Sequence, residues 1–288
     1  MRLANINGRA ALVTGDATAV DVHELSEGKF GPSLRSVYDD WEAFRAWAAE
    51  HDPAGGTPFA PTDLGAPSPE PRQIFAIGLN YTEHAAESGF DAPTDLPPVF
   101  PKFVSSLSGP VTDVTLPPGG NTDWEVELVV VIGRETHDVS EADAWDNVAG
   151  LTVGNDISER VVQLRGPAPQ FGLGKSFPGF SPTGPWLVTP DEVGDRDDLR
   201  LTTVLDGEVL QDGRTSQLIF PVARLVAELS RVVTLYPGDL IFSGTPAGVG
   251  VGRDPKRFVS PGQTMVSTIE GIGELRQRFV AAPPASAS

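Results

Sequence analysis

The chain has 288 residues, of which 40% are hydrophobic and 21% charged, a composition typical of a folded globular protein. It contains no cysteine, so disulfides, zinc–thiolate sites and thiol catalysis are excluded. The formal net charge is −18, and such an acidic surface repels nucleic acid and anionic membranes. We therefore expect neither as a partner, and a site for an anionic substrate would need a local cation.

The N-terminal residues do not show the pattern of an export signal, in which a charged segment precedes a long apolar one. The strongest apolar run, residues 128–132, is far too short to span a membrane. We therefore expect a cytoplasmic protein.

Residues 1–65 are predicted to form a small N-terminal α+β domain. Short strands are expected at 2–6, 10–13 and 19–22, between Gly and Asp turns. A helix is expected over 36–50, because its aromatic residues recur at helical spacing and indicate a packing stripe. These residues are Tyr38, Trp41, Phe44 and Trp47. The Pro- and Gly-rich residues 52–72 are predicted to be a linker.

Residues 66–280 are predicted to form the catalytic domain. Strands are expected at 74–78, 126–132, 201–205, 239–243 and 263–269, and helices only at 140–145 and 220–229. This pattern favours a strand-dominated α+β domain over alternating βαβ units. Residues 281–288 are predicted to be a disordered tail.

Two acidic residues open the most informative strand, residues 123–133. Side chains alternate along a strand, so Glu125 and Glu127 point to the same face, which continues with Val129 and Val131 into the core. Two carboxylates entering a buried face require a cation, either a metal ion or paired Lys and Arg residues. The alternative is a solvated acidic pair at an exposed sheet edge.

A third acid, Asp156, follows an apolar strand and a glycine. The chain has only four histidines, so a metal would rest mainly on carboxylate oxygens. Such ligands suit Mg²⁺ or Mn²⁺ better than zinc. Nucleotide binding has no support, because the Gly174-Lys175-Ser176 segment lacks the preceding glycine of a phosphate-binding loop.

Five segments, in this order, resemble the motifs of the fumarylacetoacetate hydrolase family, in its acylpyruvase-like and hydroxydienoate isomerase-like branch. They are residues 77–84, 123–128, 155–163, 174–185 and 237–250, within about 72–280. The resemblance implies a mixed β-roll catalytic domain with a small N-terminal domain, usually in a homodimer. It also implies Mg²⁺ or Mn²⁺ on Glu125, Glu127 and Asp156.

The resemblance also assigns roles to further residues. His84 and Glu87 match a pair that activates water, and residues three apart on a helix share a face. Lys175 matches a lysine that stabilises developing negative charge, and Gln163 a residue that binds substrate oxygens. The remaining matches are Arg160, which binds substrate or braces the site, and Thr245, which binds a substrate carboxylate. Pro178 departs from the aspartate of many members.

The implied reaction is hydrolysis of a C–C bond in a small 3-acylpyruvate-like oxo-acid. Two other reactions share the metal site, namely oxaloacetate-type decarboxylation and isomerisation of a hydroxydienoate, and the fold cannot choose among them. A dehydratase, or a non-enzymatic ligand-binding relative, also remains open. Residues 82–98 are expected to form a lid, because they are polar, contain Gly89 and carry His84.

Overall fold

The computed structural model describes residues 1–51 and 53–283. Strands dominate it, as expected for a strand-rich α+β protein. In chain order they are β1 (Arg2–Ile6), β2 (Arg9–Val13), β3 (Thr18–Asp21), β4 (Thr57–Pro58), β5 (Leu64–Gly65), β6 (Ile74–Ile77), β7 (Val99–Pro101), β8 (Leu107–Ser108), β9 (Val111–Leu116), β10 (Thr122–Asp123), β11 (Val126–Ile132), β12 (Val148–Asn155), β13 (Ser158–Glu159), β14 (Ser181–Val188), β15 (Arg200–Leu205), β16 (Glu208–Arg214), β17 (Leu240–Phe242), β18 (Thr264–Ile269) and β19 (Gly273–Ala281).

The helices are short and few. They are α1 (Val22–Leu25), α2 (Leu34–Tyr38), α3 (Trp41–Ala49), α4 (Thr82–Glu87), α5 (Arg160–Gln163), α6 (Phe171–Gly174) and α7 (Val222–Ser230). Within the described ranges, no helix has the length and apolar character needed to cross a membrane.

Two main sheets hold most of these strands, and β10 and β13 form a separate antiparallel pair. The larger has the order β4-β3-β2-β1-β14-β12-β11-β17-β6-β7, with β5 added beside β1 and β8 beside β14. The smaller has the order β16-β15-β18-β19-β9. In the larger sheet β11 lies between β12 and β17, so the predicted acidic strand is central and not an exposed edge.

The N-terminal strands join the larger sheet through one antiparallel pair, β1 with β14. The helix predicted over 36–50 is wrong in its bounds, because two helices, α2 and α3, replace it. They part at Asp39 and Asp40, and aspartate favours helix ends over helix interiors. The aromatic stripe is confirmed, since Tyr38 stacks on Trp41 and Phe44 packs between Trp41 and Trp47.

Three further predicted segments differ from the structure. The predicted linker over 52–72 contains β4 and β5, which pair with β3 and β1. Residues 140–145 do not form an α-helix; a 3-10 helix, Glu141–Asn147, follows the cap at Ser140. At the C-terminus, β19 pairs with β9 through Ala281, so the predicted tail begins one residue or more too early. Asp52 and residues 284–288, which the linker and tail predictions include, lie outside the described residues.

Strand β11 is buried along its whole length, and its alternating side chains enter two different cores. Leu128 and Val130 pack with α7, whereas Val129 and Val131 pack with the aromatic residues of α3. The predicted alternation is therefore confirmed. At the N-terminal end of β11 the same alternation directs Glu125 and Glu127 toward one place.

Candidate active site

Three acidic side chains meet where β11 begins and β12 ends. The antiparallel pairing sets Val126 beside Asn155, which places Asp156 next to Glu125 and Glu127. All three are buried, and one carboxylate oxygen from each lies within 4.8 Å of the others. The structure thus brings together the three residues that were predicted to hold a metal ion.

Two buried lysines contact this group of acids. Lys175 Nζ donates to Glu125 Oε2 at 2.6 Å and to Asp156 Oδ2 at 2.7 Å. Lys102 Nζ donates to Asp156 Oδ1 at 2.5 Å and also to the carbonyl oxygens of Lys175 and Phe180. Sequence reasoning missed Lys102, because nothing in the neighbouring residues indicates a buried cation.

Glu127 is the acid that these cations leave uncompensated. Its Oε2 accepts a hydrogen bond from Gly244 N at 2.7 Å, and it forms no ion pair with the described residues. Burial, together with the charges of Asp156 and Glu125, raises the pKa of Glu127 well above its ordinary value. Burial also opposes ionisation of Glu125, but the charges of Lys175 and Arg160 outweigh it and lower that pKa to about 2.

These residues fit a divalent cation. The donors are hard carboxylate oxygens, which Mg²⁺ and Mn²⁺ prefer. A buried carboxylate without a cation is costly, and a divalent ion beside Glu127 would remove that cost. The lysines meet the charge of Glu125 and Asp156 only, so the alternative of paired basic residues does not account for the whole group.

Arg160 is held inside the protein by acids on two sides. Its guanidinium donates to Asp123 Oδ2 at 2.9 and 2.7 Å, to Glu125 Oε1 at 2.7 Å and to Gln163 Oε1 at 2.9 Å. Burial lowers its pKa, but the charges of Asp123 and Glu125 outweigh burial and raise it. With its N–H groups so engaged, Arg160 is placed to brace the site and to orient Gln163.

Asp123 ties this network to the glycine-rich loop 244–253. Beyond Arg160, it accepts from Gly250 N at 2.7 Å and from Val251 N at 2.9 Å. Sequence reasoning missed this role. Asp123 stands two residues before Glu125, and residues at this spacing point to the same face of a strand. This spacing is the local signal that could have indicated a role for Asp123 in the site.

His84 and Glu87 form a close pair on α4. His84 Nδ1 lies 2.8 Å from Glu87 Oε1, so Glu87 accepts the Nδ1 proton and Nε2 is left free to accept another. Glu87 also accepts from Gly248 N at 2.9 Å, which attaches α4 to the glycine-rich loop. The predicted juxtaposition of these two side chains is confirmed.

The Thr245 hydroxyl is engaged within the protein. It donates to the carbonyl oxygen of Val126 at 2.8 Å and accepts from Gln211 Nε2 at 2.8 Å. A substrate carboxylate would have to exchange one of these bonds. Its predicted role in carboxylate binding therefore stays a prediction.

A cavity of about 590 Å³ brings these groups together. Its polar walls include His84, Glu125, Glu127, Gln163 and Lys175. Its apolar walls come from Leu79, Phe90, Pro98, Phe100, Leu164, Phe171 and Val251, and Lys256 also lines it. Pro178 lies elsewhere, on a different surface cavity beside Phe177 and Gly179.

A cavity with a buried Glu-Glu-Asp group and a His-Glu pair, on this arrangement of sheets, defines a metal-dependent enzyme site. The fumarylacetoacetate (FAA) hydrolase C-terminal family matches residues 73–280. The chain therefore belongs to the fumarylacetoacetate hydrolase family and is an enzyme of that family, which settles the choice between an enzyme and a non-enzymatic binder.

Individual relatives carry several activities. A solved Mycobacterium smegmatis structure, provisionally described as an HpcE protein, is 55% identical, with a TM-score of 0.93 and coverage of 98% of this chain and 100% of its own. The maleylpyruvate hydrolase of Sphingobium sp. SYK-6, solved with manganese and pyruvate, is 29% identical, with a TM-score of 0.81 and coverage of 98% and 100%. The human mitochondrial oxaloacetate tautomerase FAHD2A is 43% identical over 216 residues, 75% of this chain and 68% of its own.

Proposed function

We propose that this enzyme hydrolyses a C–C bond in a 3-acylpyruvate-like oxo-acid, with Mg²⁺ or Mn²⁺ held by Glu125, Glu127 and Asp156. The observation that carries the proposal is the His84–Glu87 pair, 2.8 Å apart, on the wall of the cavity that Glu125 and Glu127 also line. A hydrolase needs a base for water beside the substrate, whereas decarboxylation needs chiefly a means of stabilising an enolate.

Each side chain has a separate role in the proposed hydrolysis. A divalent cation held by Glu125, Glu127 and Asp156 would supply positive charge at the 2-oxo acid end of the substrate. His84 Nε2 takes a proton from water, while Glu87 holds Nδ1–H and stabilises the imidazolium that forms. The hydroxide adds to the distal carbonyl carbon, the bond to C3 breaks, and C3 takes the proton back from the His84 imidazolium, which regenerates the base. The products are a carboxylic acid and pyruvate.

Lys175 and Gln163 are placed to stabilise the oxyanion formed by that attack. Lys175 Nζ uses two of its protons on Glu125 and Asp156, which leaves one for substrate. Gln163 Oε1 is occupied by Arg160, so its amide N–H₂ is the group that remains available. Fixed donors of this kind act where charge develops in the transition state.

A second candidate is proton transfer or decarboxylation on oxaloacetate. The 43% identity to the human oxaloacetate tautomerase favours it, because that reaction would use the same cation without an attacking water. An isomerisation of a hydroxydienoate is a similar proton transfer. These alternatives predict turnover without consumption of water.

The test is a substrate panel with purified enzyme and Mg²⁺ or Mn²⁺. Acetylpyruvate, fumarylpyruvate and maleylpyruvate are followed by release of pyruvate and of the matching acid, and oxaloacetate by loss of enol and by release of CO₂. We expect cleavage of at least one acylpyruvate, abolished by EDTA and restored by added metal. Turnover of oxaloacetate with no acylpyruvate cleaved would replace the hydrolase proposal with the second candidate.

We also retain the homodimer as a proposal, based on the family's usual state. Light scattering coupled to gel filtration tests it, and a mass of one 30.5 kDa chain would contradict it.

A further inference from the structure

The cavity extends well beyond the residues that would hold the 2-oxo acid end of a substrate. Its outer walls are apolar and include Phe90 and Leu164, whose side chains are 60% and 54% exposed. Large apolar side chains at the mouth of a cavity are suited to the carbon chain of a ligand. This outer part is where the distal end of the substrate would lie.

Lys256 lines the same cavity and is exposed. The chain has only four lysines, and two others, Lys102 and Lys175, are committed to the buried carboxylates. Among residues 1–51 and 53–283, Lys256 forms no ion pair, whereas its neighbour Arg257 pairs with Glu208 at 2.7 Å. Within the described residues, the positive charge of Lys256 is therefore available to an anionic ligand in the cavity.

The loop that carries Lys256 is held in a defined position. Arg257 N donates to the carbonyl oxygen of Gly250 at 3.0 Å, and Gly250 N donates in turn to Asp123 Oδ1 at 2.7 Å. A side chain at Gly250 would collide with the carbonyl oxygen of Arg257, so glycine permits this close approach. The same network that braces Glu125 therefore positions the lysine.

We infer that Lys256 binds a second carboxylate at the distal end of the substrate, so that the enzyme acts on dicarboxylic oxo-acids with an apolar carbon chain between the two acid groups. This inference rests on the proposed function for the position of the 2-oxo acid end. Charge complementarity supports it, because an acidic protein that binds a dianion needs a cation beyond those used at the metal site.

The first experiment measures binding, so it does not depend on turnover. Calorimetry on the Mg²⁺-loaded enzyme compares 2-oxoadipate with 2-oxohexanoate, which has the same number of carbons but no distal carboxylate. We expect the wild type to prefer 2-oxoadipate by roughly twofold to fivefold, as for one exposed ion pair. Lys256→Gln should remove that preference and leave the affinity for 2-oxohexanoate unchanged.

Arg257→Gln is the matched control, since it removes an adjacent positive charge that faces Glu208 and does not line the cavity. It should keep the preference of the wild type. The inference is overturned if the wild type shows no preference, if Lys256→Gln retains it, or if 2-oxoadipate does not bind.

Turnover separates this inference from the proposed function. Lys256→Gln should lower kcat/KM for fumarylpyruvate by roughly twofold to fivefold and leave acetylpyruvate cleavage unchanged. Equal loss on both substrates would contradict the distal role while the hydrolase proposal stands. If no acylpyruvate is cleaved but the binding preference depends on Lys256, the hydrolase proposal fails and the dicarboxylate site remains.

Discussion

Replacing Asp123 with asparagine tests the network that braces the site, because it removes one buried charge at almost constant size. Asp123 Oδ2 accepts from Arg160 twice and from Val251 N, and Oδ1 accepts from Gly250 N at 2.7 Å. Asparagine has a single acceptor oxygen, so its N–H₂ group must face N–H donors on one side. The variant therefore loses an ion pair and also leaves buried donors unpaired.

The expected cost follows from this geometry. Neutralising one partner of a buried ion pair lowers the free energy of unfolding by about 3–5 kcal/mol. Arg160 keeps its contact with Glu125 at 2.7 Å, so we expect the lower end, about 3 kcal/mol. For a chain of this length, a loss of about 1 kcal/mol in the free energy of unfolding lowers Tm by about 2 °C. We therefore expect the Tm of Asp123→Asn to fall by about 6 °C.

The assay is thermal unfolding of the metal-free protein, followed by circular dichroism. Asp113→Asn is the control, because Asp113 pairs with Arg278 between exposed side chains and should contribute little to Tm. The reasoning is refuted if Asp123→Asn unfolds within about 1 °C of the wild type, or if Asp113→Asn loses as much.

The remaining predictions concern the metal and the lid. Glu127→Ala deletes a proposed ligand, so it should weaken Mn²⁺ binding in calorimetry by more than about tenfold and remove most of the activity. Near-normal Mn²⁺ affinity and turnover would disprove the assignment of Glu127 as a ligand. Residues 82–98 should exchange amide hydrogen more slowly when oxalate binds, because α4 contacts the glycine-rich loop through Glu87. Equal exchange with and without saturating oxalate would count against a lid.

Local sequence patterns predicted the centre of the site because its geometry is itself local. The alternation along β11 is fixed by strand geometry, so Glu125 and Glu127 had to share a face. His84 and Glu87 are three residues apart on one helix, which also fixes their proximity. Asp156 was predicted from its position after an apolar strand, but its closeness to the two glutamates depends on the pairing of β11 with β12.

The features that sequence reasoning missed depend on long-range pairing. Lys102 reaches Asp156 across 54 residues, and Asp123 reaches the loop at Gly250 across 127. No periodicity in a single sequence encodes such contacts. The break between α2 and α3 was missed for a different reason, since the aromatic spacing continues through Asp39 and gave no sign of the interruption.

The central claim is that His84 activates water beside a metal-bound oxo-acid site. The most direct measurement compares His84→Ala with the wild type on an acylpyruvate and on oxaloacetate, with a Mn²⁺ titration of both proteins. His137→Ala is the control, because His137 is exposed and lies outside the cavity. General-base catalysis contributes roughly 10²–10⁴-fold, so acylpyruvate cleavage should fall by that factor in His84→Ala.

Metal affinity should be unchanged in that variant, since His84 is not among the three carboxylate ligands, and any oxaloacetate decarboxylation should fall much less. His137→Ala should cleave acylpyruvate at the rate of the wild type. If both activities of His84→Ala fell together while Mn²⁺ binding held, His84 would orient the substrate and not activate water. If acylpyruvate cleavage persisted at the wild-type rate, the account of this site as a hydrolase with a histidine base would be wrong.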